Sequence, residues 1–127
     1  MQIQWYQIAL VGAGGMAGSI LRFLVSNWFV QHIPPTFPWG TFTVNLAGCL
    51  IIGLVMGTTY KPHQGDIWKL LLASGFCGGF TTFSAFSNEG FQMLRHQLYG
   101  LFATYAISSI VLGLTAVAAG YLITRSN

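Results

Sequence analysis

The sequence predicts an all-α integral membrane protein with four transmembrane helices, and three observations carry that expectation. The 127 residues are 54% hydrophobic and 6% charged, with a mean hydropathy of +0.62. Soluble domains carry roughly 25% charged residues, and a fold this small has too much surface to leave so bare in water. Four apolar stretches each reach the ~20 residues that a helix needs to cross the hydrocarbon core. Polar segments bearing Pro or Gly separate most of them. Residues 1–127 therefore read as a single four-helix transmembrane domain.

The first helix is expected from about Trp5 to Phe29 and is closed off by "HIPPTFP", whose three prolines cannot continue it. The second is expected from about Trp39 to Thr59, ending in the polar run "YKPHQGD". The third spans about Ile67 to Met93, and the fourth follows the short polar "RHQ", from about Leu98 to Ile123. Trp5, Trp28, Trp39, Tyr60, Trp68 and Tyr99 fall near the predicted ends, as an interfacial aromatic belt would. Gly14 and Gly18, Gly53 and Gly57, and Gly75 and Gly79 are each four apart, the spacing that lets helix backbones approach closely in lipid. Met1 to Gln7 lacks a basic run, so no cleavable signal peptide is expected.

Charge excludes some classes and suggests a topology. Arg22, Lys61, Lys69, Arg95 and Arg125 are spread singly, with no basic run to neutralise a nucleic-acid backbone. Cys49 and Cys77 form no disulfide framework or metal signature and read as packing residues, and His32, His63 and His96 show no ligand spacing. With the N-terminus cytoplasmic, Lys61, Lys69 and Arg125 fall on that side and Arg22 and Arg95 on the other. Lys/Arg bias sets orientation, so this near balance predicts insertion in both directions. An antiparallel pair would then have its two-fold axis in the membrane plane.

Few polar groups lie at depth, and they are where a solute route would be sought. Asn45 lies in the second helix after Thr41 and Thr43; Arg22 lies late in the first and is able to snorkel to the interface. Tyr105, Ser109 and Gly113 share one face of the fourth. The densest signal is Gly75 to Glu89, "GFCGGFTTFSAFSNE". Gly78-Gly79 weakens the third helix mid-membrane, where freed backbone must be satisfied by protein, water or ion. Exposed carbonyls there could hold a bare cation. Thr81, Thr82, Ser84 and Ser87 offer hydroxyls. The ring edges of Phe83 and Phe86 are electropositive and suit a small anion; core packing is the competing reading of the same rings. Glu89 needs a partner, a proton or water.

These stretches, with "GAGGMAGSILR" (Gly12–Arg22) and "GTFTVNLAG" (Gly40–Gly48), resemble the signatures of the Fluc, or CrcB, fluoride channels over nearly the whole chain. The resemblance implies a passive fluoride channel in the bacterial plasma (inner) membrane, built as an antiparallel dual-topology homodimer with two pores. It implies a broken third helix and a structural sodium ion on the two-fold axis, held by the backbone carbonyls of Gly78 and Thr81 from both subunits. It places Phe83, Phe86 and Asn45 in the fluoride pore, with Thr82, Ser84 and Ser109 as hydroxyl donors. Arg22 would stand near the vestibule and Glu89 beside the pore. Phe80 stands where the family commonly has leucine and Ala85 where threonine is common, so one ring is added and one hydroxyl lost.

Other classes fit less well. A small multidrug exporter shares four helices and dual topology but needs a carboxylate in the first helix, which is absent here. A fluoride–proton antiporter differs from a channel in its electrical behaviour. A membrane enzyme would need paired acids or a nucleophile–base set. A purely structural subunit would move no ion.

Overall fold

The computed structural model describes residues 2–58 and 65–125, the side chains of Gly65 and Asp66 excepted. Tyr60, Lys61 and His63 lie outside the described residues. All regular structure in the described part is helical: α1 Trp5–His32, α2 Trp39–Thr58, α3 Gly65–Trp68, a π-helix Lys69–Cys77, α4 Gly78–Phe80, α5 Phe83–Arg95 and α6 Tyr99–Arg125. α1, α2, α6 and the composite Lys69–Arg95 are the four segments long and apolar enough to cross a membrane. Trp5, Trp28, Trp39, Trp68 and Tyr99 are all exposed at helix ends, as the aromatic belt requires.

Two helix pairs make the bundle: α1 packs on the π-helix and α4, and α2 packs on α6. The spaced glycines sit at these crossings. A methyl group added at Gly14 would lie 2.2 Å from the Leu71 carbonyl oxygen, and one at Gly53 would lie 2.2 Å from that of Val117. No side chain other than hydrogen fits between these backbones. Phe37, in the Pro-rich link after α1, stands edge-on to Phe42 and to Tyr105, with ring centroids 5.2 Å and 5.3 Å apart, and ties the start of α2 to α6. The α5–α6 turn is short. Gln97 takes a left-handed φ of 59°, and Leu98 N–H closes back on the Met93 carbonyl at 2.8 Å.

The third span is broken near Gly78-Gly79, at the threonines just after the pair. Gly78 and Gly79 stay helical in α4, and the extended residues are Thr81 (φ −86°, ψ 157°) and Thr82 (φ −149°, ψ 114°). Gly79 is small because a Cβ there would lie 2.4 Å from the Gly15 carbonyl oxygen of α1. The threonines tolerate an extended backbone, and their hydroxyls cap both ends of the interruption. Thr81 Oγ1 donates back to the Cys77 carbonyl at 2.7 Å, while Thr82 Oγ1 accepts from Ala85 N–H at 3.2 Å as the N-cap of α5.

Candidate functional site: the broken third span and its groove

Interrupting a helix inside a membrane strands backbone polar groups that lipid cannot satisfy. Neighbouring helices supply most of the missing partners here. The Asn45 side chain bonds both backbone groups of Thr82: Oδ1 accepts from the N–H at 2.8 Å, and Nδ2 donates to the carbonyl at 3.2 Å. Arg22 reaches across from α1, and its Nε donates to the Gly79 carbonyl at 2.9 Å. Arg22 thus closes the end of α4, a contact its side-chain length permits but its sequence position does not reveal. Gly48 lets α2 meet the break directly; an added Cβ would lie 2.1 Å from Thr81 Cγ2.

Two carbonyls at the break remain free. Among the described residues no hydrogen bond reaches the carbonyl oxygen of Gly78 or that of Thr81. Gly78 also faces open space, with nothing within 4 Å of where a Cβ would stand. Two uncovered carbonyls one helical turn apart suit a hard cation that prefers oxygen ligands. Two ligands are too few for a complete shell, so one chain alone would not finish such a site. Sodium coordination by these groups therefore fits the residues present and calls for a second set of carbonyls.

Beside the break lies a groove of about 430 Å³. Asn45, Gly78, Thr81, Thr82, Phe83, Phe86 and Ser109 all line it, which brings together seven of the ten residues singled out from the sequence. The Phe83 and Phe86 rings lie 5.9 Å apart, and Phe86 is 5.0 Å from the Tyr105 ring. Phe83 is 79% exposed, a large apolar side chain left uncovered at the edge of its own groove. Neighbouring hydroxyls of α6 divide in role. Ser108 bonds back to the carbonyls of Thr104 and Tyr105, as serines in membrane helices commonly do. Ser109 opens on the groove. Ser84 lies outside the groove lining, exposed, with its hydroxyl 3.2 Å from that of Thr82. Phe80, the extra ring, is buried and stacks on Phe76 at 5.3 Å.

Glu89 stands in the middle of α5 (Phe83–Arg95), beyond the break. Both its oxygens accept short hydrogen bonds: Oε1 from Thr41 Oγ1 and Oε2 from Tyr105 Oη, each 2.6 Å. Sequence reasoning identified Glu89 as needing partners but did not name these two. The signal was present in the four-residue step from Thr41 to Asn45 on one face of α2, and in Tyr105 four residues before Ser109 on α6. Glu89 also lines a second cavity of about 500 Å³, between the ends of α1 and α5, the Pro-rich link and the starts of α2 and α6. Tyr105, fully buried, connects the two regions: its ring packs on Phe86 and its hydroxyl holds Glu89. Among the described residues no group of three or more His, Cys, Asp or Glu side chains could hold a metal.

Residues 9–121 match the family described as CrcB-like protein, Camphor Resistance (CrcB). The chain belongs to the CrcB-like family. A relative from Phocaeicola vulgatus, named fluoride-specific ion channel FluC, is 45% identical over 89% of this chain and 93% of its own length. One of the same name from Leptospira interrogans is 47% identical over 89% of this chain and 90% of its own. Another from Agrobacterium fabrum is 40% identical over 94% and 96%. Membership of the CrcB-like family and four apolar spans make this a multi-pass membrane protein and a transport protein, not an enzyme.

Proposed function

We propose that the chain is a passive, fluoride-selective channel that lets cytoplasmic fluoride leave the cell and so lowers its toxicity. The observation that carries this reading is the groove. Two phenylalanine rings, an amide and hydroxyls line one space beside a broken span. Fluoride is small and strongly hydrated, so a route must replace its water with donors. Ring edges, the Ser109 and Thr82 hydroxyls and the Asn45 amide are such donors, and the curated relatives carry the fluoride-channel name. Fluoride enters cells as the weak acid, and an inside-negative potential drives the anion out. Bacterial inner-membrane placement follows from this role.

The working unit in this reading is an antiparallel homodimer with two pores. The chain exposes 8589 Å², whereas a compact soluble monomer of 13.8 kDa exposes about 6,600 Å². Phe83 and Gly78 are both exposed, which supports a second subunit completing both the pore and the cation shell. When bound, sodium would supply fixed positive charge between the two broken spans. The carbonyls of Gly78 and Thr81 would hold it. We expect the thermal unfolding midpoint of purified protein to be several degrees higher in sodium chloride than in the chloride of a large organic cation. Equal midpoints would argue against a bound sodium.

The deciding experiment is fluoride efflux from liposomes followed by an electrode, with valinomycin carrying potassium as counter-charge. Release that needs valinomycin, without comparable chloride release, is the expected result. Valinomycin-independent release would indicate proton-coupled exchange, and no release from folded protein would overturn the reading. In the same assay Phe86→Ile should lower flux by about tenfold or more with the oligomer intact, because an aliphatic side chain has no positive edge. Wild-type flux in that variant would remove the ring from the pathway.

A further inference from the structure

The fluoride pathway leaves Cys49 and Cys77 without a role, yet both residues line its groove. Cys49 stands one turn beyond Asn45 on the same face of α2, and Cys77 ends the π-helix immediately before Gly78. Both line the groove and both are free. The Cys49 sulfur fills the recess that Gly113 leaves in α6, since an added Cβ at Gly113 would lie 3.5 Å from it. Cys77 is 3% exposed, and its thiol donates to the Gly48 carbonyl at 3.7 Å.

We propose that Cys49 and Cys77 form a two-thiol site for soft, thiophilic cations of the mercuric class, and that filling this site stops conduction. Thiolate sulfur selects soft metals, and ions of this class are satisfied by two sulfurs in line. Zinc is not, because structural zinc takes four ligands, and no group of three or more candidate ligands exists among the described residues. The step balances simply: one Hg²⁺ displaces a proton from each thiol, two S–Hg bonds form, and two protons leave to solvent. No oxidant is involved.

The block has a structural cause. The Cys77 carbonyl receives both the N–H (2.9 Å) and the hydroxyl (2.7 Å) of Thr81. A metal bridging Cys77 to Cys49 would pull on the residue that anchors the break. It would also fill the groove between Asn45 and Phe83.

The test uses purified full-length protein and mercuric chloride, chased with excess glutathione to strip ions held by a single thiol. Native mass spectrometry should find about one mercury per chain in the wild type and none in Cys49→Ser or Cys77→Ser. Cys77→Ser keeps a donor to Gly48, so its fold is preserved. The fluoride current of the wild type should fall by about tenfold or more with mercury, recover with a dithiol chelator, and change less than about twofold in either variant. Mercury retained by a single-serine variant, no mercury retained by the wild type, or an undiminished current with mercury bound would each overturn the site. The conduction half rests on the channel reading, whereas retention is read without any current. A chain that conducts no fluoride would therefore sink that reading and leave the two-thiol site independently tested.

Discussion

Gly18→Ala is expected to yield little or no folded protein. The added Cβ would lie 2.2 Å from the Phe76 carbonyl oxygen, 2.8 Å from the Phe80 backbone nitrogen and 3.1 Å from the Phe76 carbonyl carbon. All three are backbone atoms of the third span, so no rotamer change relieves the overlap. α1 and the π-helix would have to move apart along their whole contact. Overpacking typically costs about 1–3 kcal/mol when side chains can yield. Here they cannot, and a total stability of roughly 5–15 kcal/mol leaves little margin. The separation would also carry Arg22 away from the Gly79 carbonyl and release the end of α4. Gly12→Ala is the control. Nothing lies within 4 Å of that Cβ, and alanine in a helix is better than glycine by about 0.5–1 kcal/mol. Detergent-solubilised yield and thermal midpoint compared between the two variants decide the matter. Equal behaviour would mean that the close approach of α1 to the third span is not what Gly18 is for.

The same residues show how far the sequence could be read. Four spans were legible because membrane insertion writes its requirement into composition: about 20 apolar residues, with aromatics at the ends. The observed bounds differ from the expected ones by a few residues, α1 for instance running on to His32. The glycine pairs announced helix crossings but not which helices cross, since spacing carries no information about the partner. The break was foreseen in the third span near Gly78-Gly79, on the ground that glycine weakens helices, and it falls there, just after the pair. Gly79 is needed for contact with α1, and the extended residues are the threonines that follow, where Asn45 offers both a donor and an acceptor. Glu89 was recognisable as a costly group, but its partners Thr41 and Tyr105 come from two other helices. Pairings of that kind depend on how the helices rotate against one another, which a single sequence does not state.

Asn45→Ala is expected to reduce both stability and fluoride flux, and the way the two losses divide is informative. The asparagine amide satisfies the N–H and the carbonyl of Thr82 together. Removing it leaves two half-buried backbone groups without partners, at about 1–3 kcal/mol each. A total of roughly 2–6 kcal/mol is expected, read as a lower thermal midpoint. Flux should fall by about tenfold or more, because the extended Thr81–Thr82 segment sets where α5 begins and so where Phe83 and Phe86 point. Asn45→Asp separates clamp from pathway. Its carboxylate still accepts from Thr82 N–H but cannot donate to the Thr82 carbonyl, so it should keep more stability than alanine does. It also places negative charge on the groove lining, beside Phe83 and Phe86. An anion route should then lose at least as much flux as in the alanine variant, despite the better-held break. A cation route would gain from the same charge. If Asn45→Ala kept wild-type stability and flux, the amide would be neither a clamp nor a donor to the permeating ion. If Asn45→Asp raised flux, the groove would carry cations, and the ring edges of Phe83 and Phe86 would need another explanation.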